Sequence, residues 1–296
     1  MQGKKIKTLI DNCFFDGEWY VAYKKNNEKE FQIIKNPRHH WFADPFVVEN
    51  NGEIYVFCEG YDNIFSKGSI YCIPICRDET PCKIIENRYH MSYPHVFKFG
   101  DSYYMIPESA ENHTLDLYQC TDFPFVWHKE RTLIENFTCV DTNVLIKDKY
   151  IYLITLCLDN EEKGELVVFQ YNFHNPPKEL FRMKNRDNCQ RNAGGCFFHK
   201  GDIIRPCQNN KIKYGESIVF KKVVVSNEKY EETPLSELKI QDLNVSSDDY
   251  MFERVHTYNK SISIEVVDMR NRYFNAFLIL KKMIRKFQIG LRCKKA

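Results

Sequence analysis

Asp44-Pro45-Phe46-Val47-Val48 leads through a polar turn, Glu49-Asn50-Asn51-Gly52-Glu53, into Ile54-Tyr55-Val56-Phe57-Cys58-Glu59. Two short β-branched or aromatic runs around a polar, glycine-bearing turn form a β-hairpin. The pattern returns 49 residues on as Tyr93-Pro94-His95-Val96-Phe97, a turn at Gly100-Asp101, and Tyr103-Tyr104-Met105-Ile106-Pro107-Glu108. After 48 more it is Asp141-Thr142-Asn143-Val144-Leu145, a turn at Lys147-Asp148-Lys149, and Tyr150-Ile151-Tyr152-Leu153-Ile154. A fourth copy runs Gly194-Gly195-Cys196-Phe197-Phe198, Lys200-Gly201-Asp202, Ile203-Ile204-Arg205-Pro206, and a weaker fifth spans Arg254 to Glu265.

Further strand-like pieces separate the hairpins: Gly68–Ile73, Leu115–Cys120 and Leu166–Tyr171. Each unit therefore holds about four strands in about fifty residues, which is a propeller blade. The expected fold is all-β, a five-bladed β-propeller in residues 1–268 with its blades at about 38–268. The N-terminal strand at 18–24 would complete the last blade and close the ring. A β-sandwich with accidentally similar hairpins is the alternative, and the near-constant spacing speaks against it.

Charge and cysteines bound the function classes. The chain of 296 residues carries 42 basic and 40 acidic groups, but nine of the basic ones follow Asp268, where no acidic residue occurs. Residues 1–268 thus have a net charge of −7, unlike a nucleic-acid-binding surface. The twelve cysteines include no Cys-x-x-Cys pair, and several sit inside apolar runs, where a thiol acts as a small hydrophobe. With no apolar leader in Met1–Lys7, the expectation is a reduced, cytoplasmic protein.

First strands line a propeller's channel, so equivalent positions of every blade meet at one funnel. Asp44, His95, Asp141, Arg191 and His256 lie at or beside first-strand starts, Glu59 and Glu108 end second strands, and Arg205 and Gln208 fall in the matching region of the fourth unit. The units agree in apolar pattern and differ in these polar residues, which suggests one asymmetric pocket; capping of strand ends is the bland alternative. Asp44 and Glu108 form a carboxyl pair of the kind glycosyl chemistry needs, one ionised and one protonated. His39, His40, His90 and His95 could tune them, and Trp41, Phe42, Tyr89 and Tyr93 offer flat faces for a sugar ring. Gly194 and Gly195 would form a pocket floor beside Arg191, or else a plain β-bulge. His39-His40 is set aside as a metal site, because adjacent strand residues point oppositely. No zinc-protease, dinucleotide, phosphate-loop, nucleophile-elbow or Asp-x-Asp motif occurs, so no cofactor is called for.

The segments His90-Met-Ser-Tyr-Pro-His95, Tyr104-Met-Ile-Pro-Glu108-Ser, Leu117 to Trp127, Asp141-Thr, Arg191-Asn-Ala-Gly-Gly195, Arg205-Pro-Cys-Gln208 and Tyr214-Gly-Glu-Ser-Ile218 resemble the N-terminal propeller domain of plant glucosamine inositolphosphorylceramide transferases and related domains of bacterial polysaccharide gene clusters. The resemblance covers about residues 18–268. More distantly, the hairpins resemble five-bladed glycoside hydrolases acting on furanosides, with a base Asp in blade one, a tuning Asp in blade two and an acid Glu in blade three. Asp44 matches the base and Glu108 the acid, although Glu108 ends the second unit; Tyr93 and His95 stand where the tuning Asp belongs. The resemblance implies a glycosyltransferase that builds a bacterial surface polysaccharide or glycolipid from an activated nucleotide sugar. Asp44 would be the base, Glu108 and His95 would serve the leaving group, and Arg191 and Arg205 would hold the donor phosphate. A glycoside hydrolase and a non-catalytic glycan-binding propeller are the alternatives.

From Arg270 to Arg292, Tyr273, Phe277, Leu280, Ile284, Phe287 and Leu291 recur at three and four residues. That spacing predicts a basic amphipathic helix in residues 269–296. It would lie on an anionic membrane surface through residues 270–295 and hold the pocket near a lipid-linked glycan acceptor; docking on the propeller or on a second copy is the alternative.

Overall fold

The structure is a computed structural model that describes residues 15–75, 80–159, 163–185, 187–245 and 249–274. Five antiparallel four-stranded sheets form the blades of a β-propeller. Blade 1 holds β3 (His40–Asn50), β4 (Glu53–Asp62), β5 (Lys67–Pro74) and β6 (Cys82–Ile85). Blade 2 holds β7 (Ser92–Phe99), β8 (Ser102–Glu108), β9 (Thr114–Asp122) and β10 (Val126–Glu135). Blade 3 is β11 (Cys139–Lys147), β12 (Tyr150–Cys157), β13 (Glu165–Tyr171) and β14 (Lys178–Lys184). Blade 4 is β15 (Phe197–His199), β16 (Asp202–Asn209), β17 (Ser217–Val225) and β18 (Tyr230–Leu238). Blade 5 joins both ends of the described chain: β19 (Phe252–Lys260) and β20 (Ile264–Phe274) pair with β1 (Phe15–Lys25) and β2 (Gln32–Ile33).

That last sheet closes the ring. β1 and β20 pair over eleven residues, from Phe15 opposite Phe274 to Lys25 opposite Ile264. Arg270, Arg272 and Tyr273 are therefore strand residues, and the helix expected to begin at 269 does not begin there. The ladder to β1 satisfies the backbone of Met269–Phe274 as strand, and this outweighs the local three-and-four spacing. The rest of the expected helix lies outside the described residues.

Apolar alternation packs the blades on one another. Phe97, Ile106, Leu115 and Leu117 of blade 2 share a core with Val144, Leu153 and Val167 of blade 3. Val21 of β1 packs with Phe42, Val56 and Cys58 of blade 1 and Val266 of blade 5. Cys58, Cys139, Cys157, Cys189 and Cys207 are buried in these layers.

The repeated hairpin also repeats a defect. The β3–β4 register slips between Ala43 and Phe46, β7–β8 between Ser92 and His95, β11–β12 between Val140 and Asn143, and β19–β20 between Val255 and Thr257. These bulges carry Asp44, Tyr93, Asp141 and His256. The first three adopt left-handed φ values of 51°, 45° and 50°, a conformation a non-glycine residue holds only where its surroundings enforce it. Two residues further along in blades 1 to 3, and three in blade 5, a layer with one contribution from each blade is linked from blade to blade. Phe46 packs on His95 with ring centroids 4.7 Å apart. The Asn143 amide donates to the Gly194 carbonyl at 2.8 Å, and Gly195 N–H donates to Asn259 Oδ1 at 2.6 Å. Asn259 Nδ2 returns to the Pro45 carbonyl at 2.6 Å.

Candidate active site

The bulged residues sit at the mouth above this layer, bonded from blade to blade. Asp44 joins blades 1 and 5: its N–H donates to Asp268 Oδ2 at 2.8 Å, and its Oδ1 accepts from the Thr257 hydroxyl at 3.0 Å. His256 Nε2 lies 3.4 Å from Asp44 Oδ1, while its Nδ1 bonds Asp268 Oδ1 at 2.6 Å. Asp268 also accepts the N–H groups of His256 and Thr257, and Trp19 stacks on the imidazole at 3.9 Å. The result is a relay from Asp268 through His256 to Asp44. Ligating atoms of these three residues lie within 4.8 Å of one another, but they are already spent on one another.

Across the mouth, Asp141 joins blades 3 and 4. Its carboxylate accepts Arg191 Nε at 2.5 Å and Gln208 Nε2 at 2.9 Å. Glu108 Oε2 accepts the Asp141 N–H at 3.2 Å and lies 3.5 Å from Arg191 Nη2. The guanidinium sits 5.3 Å from the centre of the Tyr214 ring, and 23% of the Arg191 side chain stays exposed, so it can meet an incoming anion.

With Glu59, on which the charges of Asp44, Glu108, Asp141 and Asp268 act, five carboxyls gather against Arg191 and His256, and electrostatics follow. Burial, with Asp141 and Asp268 nearby, raises Asp44 to about 7 against the opposing pull of His256. Burial and neighbouring carboxyls push Glu59 and Glu108 well above the ordinary carboxyl range. The His256 imidazole is raised by Asp268 and Asp44, which together overcome the opposing effect of burial. The site thus sets one carboxyl raised to about 7 beside two others pushed above the ordinary carboxyl range.

Several expected roles change. Arg205 is fully buried, and its guanidinium is spent on Glu232, Gln190 and Asn192; it braces blade 4 and is not placed to meet a donor phosphate. His95 lies in the lower layer, its Nδ1 3.3 Å from both Asn143 Oδ1 and Val144 N, and burial lowers it to about 4; it has no position from which to serve a leaving group. Tyr93 and Phe42 are fully buried and present no stacking face. The Tyr93 hydroxyl donates to Asn143 Oδ1 at 2.9 Å and accepts Gly194 N–H at 2.8 Å. Gly194 meets protein where ligand was expected: with φ at 118°, a Cβ there would lie 2.0 Å from the Tyr258 carbonyl oxygen. Gly195 packs toward Asn259 and His95.

His40 pairs with Asp62 at 3.3 Å and lines an outer cleft of about 310 Å³ with Lys67, Tyr71, Lys83 and Arg88. Trp41 stacks on Tyr61 at 4.5 Å and keeps a partly exposed face. Sequence reasoning missed Asp268, Thr257 and Trp19. Asp268 was visible only as an acid within an apolar run, and nothing local signals the other two.

The family model described as "Glucosamine inositolphosphorylceramide transferase 1, N-terminal" matches residues 32–265. The chain is 26% identical to glucosamine inositolphosphorylceramide transferase 1 of Oryza sativa subsp. japonica, over 66% of this chain and 28% of that protein. It is 28% identical to the Arabidopsis thaliana protein of the same name, over 65% of this chain and 27% of that one. The chain thus spans about a quarter of the length of these curated relatives. Among solved structures, the catalytic domain of a GH62 α-L-arabinofuranosidase from Coprinopsis cinerea superposes with a TM-score of 0.58 at 11% identity, covering 84% of this chain and 97% of that one. A family 117 glycoside hydrolase from Zobellia galactanivorans gives a TM-score of 0.54 at 9% identity, covering 87% and 92%. At such identities the likeness is one of fold. The match across residues 32–265 makes the assignment: this chain belongs to the family of glucosamine inositolphosphorylceramide transferase 1 N-terminal domains.

Proposed function

We propose that this propeller is a glycosyltransferase unit that moves a sugar from a nucleotide-activated donor to a lipid-linked glycan acceptor. The observation that carries the reading is Asp44, a buried carboxyl raised to about 7 beside the His256–Asp268 relay and across the mouth from Arg191. A base for an acceptor hydroxyl needs a pKa near the working pH. Arg191, with two of its nitrogens fixed by Asp141, suits a donor phosphate. Glu108 lies 3.5 Å from the Nη2 that Asp141 also holds, and Trp41 offers a face for a sugar ring. The curated relatives are named as transferases, which supports transfer over hydrolysis.

In this reading the product is a bacterial surface polysaccharide or glycolipid. The protein works in the cytoplasm, peripheral on the inner face of the membrane, and the basic segment beyond the propeller brings the mouth to its acceptor. Incubation with a panel of nucleoside diphosphate sugars, with and without glycolipid acceptors, tests this. Acceptor-dependent consumption of one donor, lost in Asp44→Asn and reduced in Glu108→Gln, is the expected result. Donor-independent cleavage of glycosides would make it a hydrolase, and saturable glycan binding without turnover a binding module. Activity that survives both substitutions would overturn the site.

A further inference from the structure

Glu59 is the carboxyl of the mouth that the preceding scheme leaves unused. It sits opposite Ala43 across the β3–β4 ladder, one residue before the Asp44 bulge. The residue is only 5% exposed, and its Oε1 is buried without a hydrogen-bond partner. An ionised carboxylate left in that position would be costly. The charges of four carboxyls on four other strands act on it: Asp44 on β3, Glu108 on β8, Asp141 on β11 and Asp268 on β20. Glu108, by comparison, already accepts the Asp141 N–H and faces Arg191.

His90 Nε2 lies 3.5 Å from Glu59 Oε1. Gly68 N–H donates to His90 Nδ1 at 2.9 Å, which places the ring's own proton on Nε2, facing Glu59. Glu111 fixes the His90 backbone by accepting its N–H at 2.7 Å. Burial, opposed by Glu111 and reinforced by Arg191, keeps this imidazole below its ordinary value. A side chain at position 68 has no room, because a Cβ would stand 2.6 Å from Glu59 Oε1 and 2.8 Å from His90 Cε1. The glycine lets the two side chains meet.

We propose that Glu59 is the proton donor of this site and that His90, locked as an Nε2–H donor, is the positioning residue that steadies the carboxylate Glu59 becomes. The inference rests on the transfer reading. The bond from the anomeric carbon to the leaving oxygen breaks with its electron pair on that oxygen, which takes the Glu59 proton. The acceptor hydroxyl bonds the same carbon and gives its proton to Asp44. Asp44 ends protonated and Glu59 ionised, and exchange of one proton each with solvent restores the site.

Two readouts test this. In pH-difference infrared spectroscopy the wild type should show protonated carboxylic-acid absorption at neutral pH that Glu59→Gln lowers and Glu111→Gln keeps. On whichever donor the wild type consumes, Glu59→Gln should lower turnover by about 10²–10³-fold and abolish the alkaline limb of the pH profile. His90→Phe, which removes the donor to the carboxylate, should move that limb to higher pH; His90→Gln, which restores an N–H donor, should move it back. Unchanged absorption or an unchanged alkaline limb in Glu59→Gln, or loss of both in Glu108→Gln instead, overturns the proposal. A wild type inert on every donor overturns the transfer reading, while the absorption and its dependence on Glu59 still decide whether this residue holds the proton. Glu59→Gln is close to isosteric, and its thermal melt separates loss of fold from loss of the acid.

Discussion

Asp44 and His256, bulged residues on the first strands of neighbouring blades, face each other with Oδ1 3.4 Å from Nε2. Asp268 holds the far side of the imidazole at 2.6 Å. The pairing gives Asp44 a cationic neighbour that opposes its burial and its carboxyl neighbours. Activity should therefore rise with pH through an acid limb near 7 as Asp44 loses its proton. Asp44→Asn should lower kcat/KM by about 10²–10⁴-fold and erase that limb, as a pH series on the consumed donor would show.

His256 acts on that limb through Asp44. It lowers the Asp44 pKa while Asp268 and Asp44 hold the imidazole's own pKa up. Replacing it by Gln removes the cation and keeps a polar group of similar reach. The acid limb should move to higher pH, with activity at alkaline pH largely recovered. A merely structural role would lower activity equally at every pH, so the shape of the profile decides.

Arg205 should behave in the opposite way. Its partner Glu232 also takes Lys221 at 3.1 Å and the Tyr230 hydroxyl at 2.5 Å, so the network is buried and nearly saturated. Removing one member strands the others, which typically costs about 3–5 kcal/mol. Arg205→Met and Glu232→Gln should lower Tm markedly while leaving the kcat/KM of the remaining folded protein near wild type. Calorimetry alongside active-site titration checks this.

That contrast shows how far the residues could be read in order. The Asp-Pro-Phe, Tyr-Pro-His and Asp-Thr-Asn starts were visible because each bulge recurs at blade spacing, and a period of about fifty residues is a fold-level signal. The repeat does not say which of the adjacent residues takes the bulge. Tyr93 takes it, so His95, two positions on, falls into the lower layer with Phe46 and Asn143 and loses the role its polarity suggested. Arg205 looked available because its partner Glu232 lies on β18, far along the chain and invisible to local pattern. Asp268 was hidden for the same reason: its partners are Asp44 N–H and the His256 ring, on other strands.

The crowded carboxyls should make the fold less stable as pH rises. Asp44, Glu59 and Glu108 all have raised values in the folded state. Above the unfolded carboxyl range the native state therefore binds more protons than the unfolded chain, and stability falls with pH. For Asp44, moved from 3.8 to about 7, the change is on the order of 4 kcal/mol across that window. His256 adds the same sign, since its raised value gives stability that is present below its unfolded pKa and lost as pH climbs through the folded one. Tm should fall between about pH 5 and pH 8, and Asp44→Asn and Glu59→Gln should each flatten the slope.

Met269 to Phe274 pair one for one with Tyr20 to Phe15 on the strand that closes the ring. A truncation after Asp268 would strip half of that ladder and expose β1, whereas one after Phe274 leaves it whole. Residues 275–296 still hold seven basic groups, Lys281, Lys282, Arg285, Lys286, Arg292, Lys294 and Lys295, and no acidic one. At ~1 kcal/mol for each basic group near an anionic surface, they suffice for reversible attachment. The 1–274 protein should melt like the full chain yet fail to sediment with anionic vesicles at low salt. The 1–268 protein should melt lower, so its loss of vesicle binding would carry no weight by itself. Equal sedimentation of the full chain and 1–274 would mean that the basic segment does not hold the protein at the membrane, and the acceptor would then have to be reached in some other way.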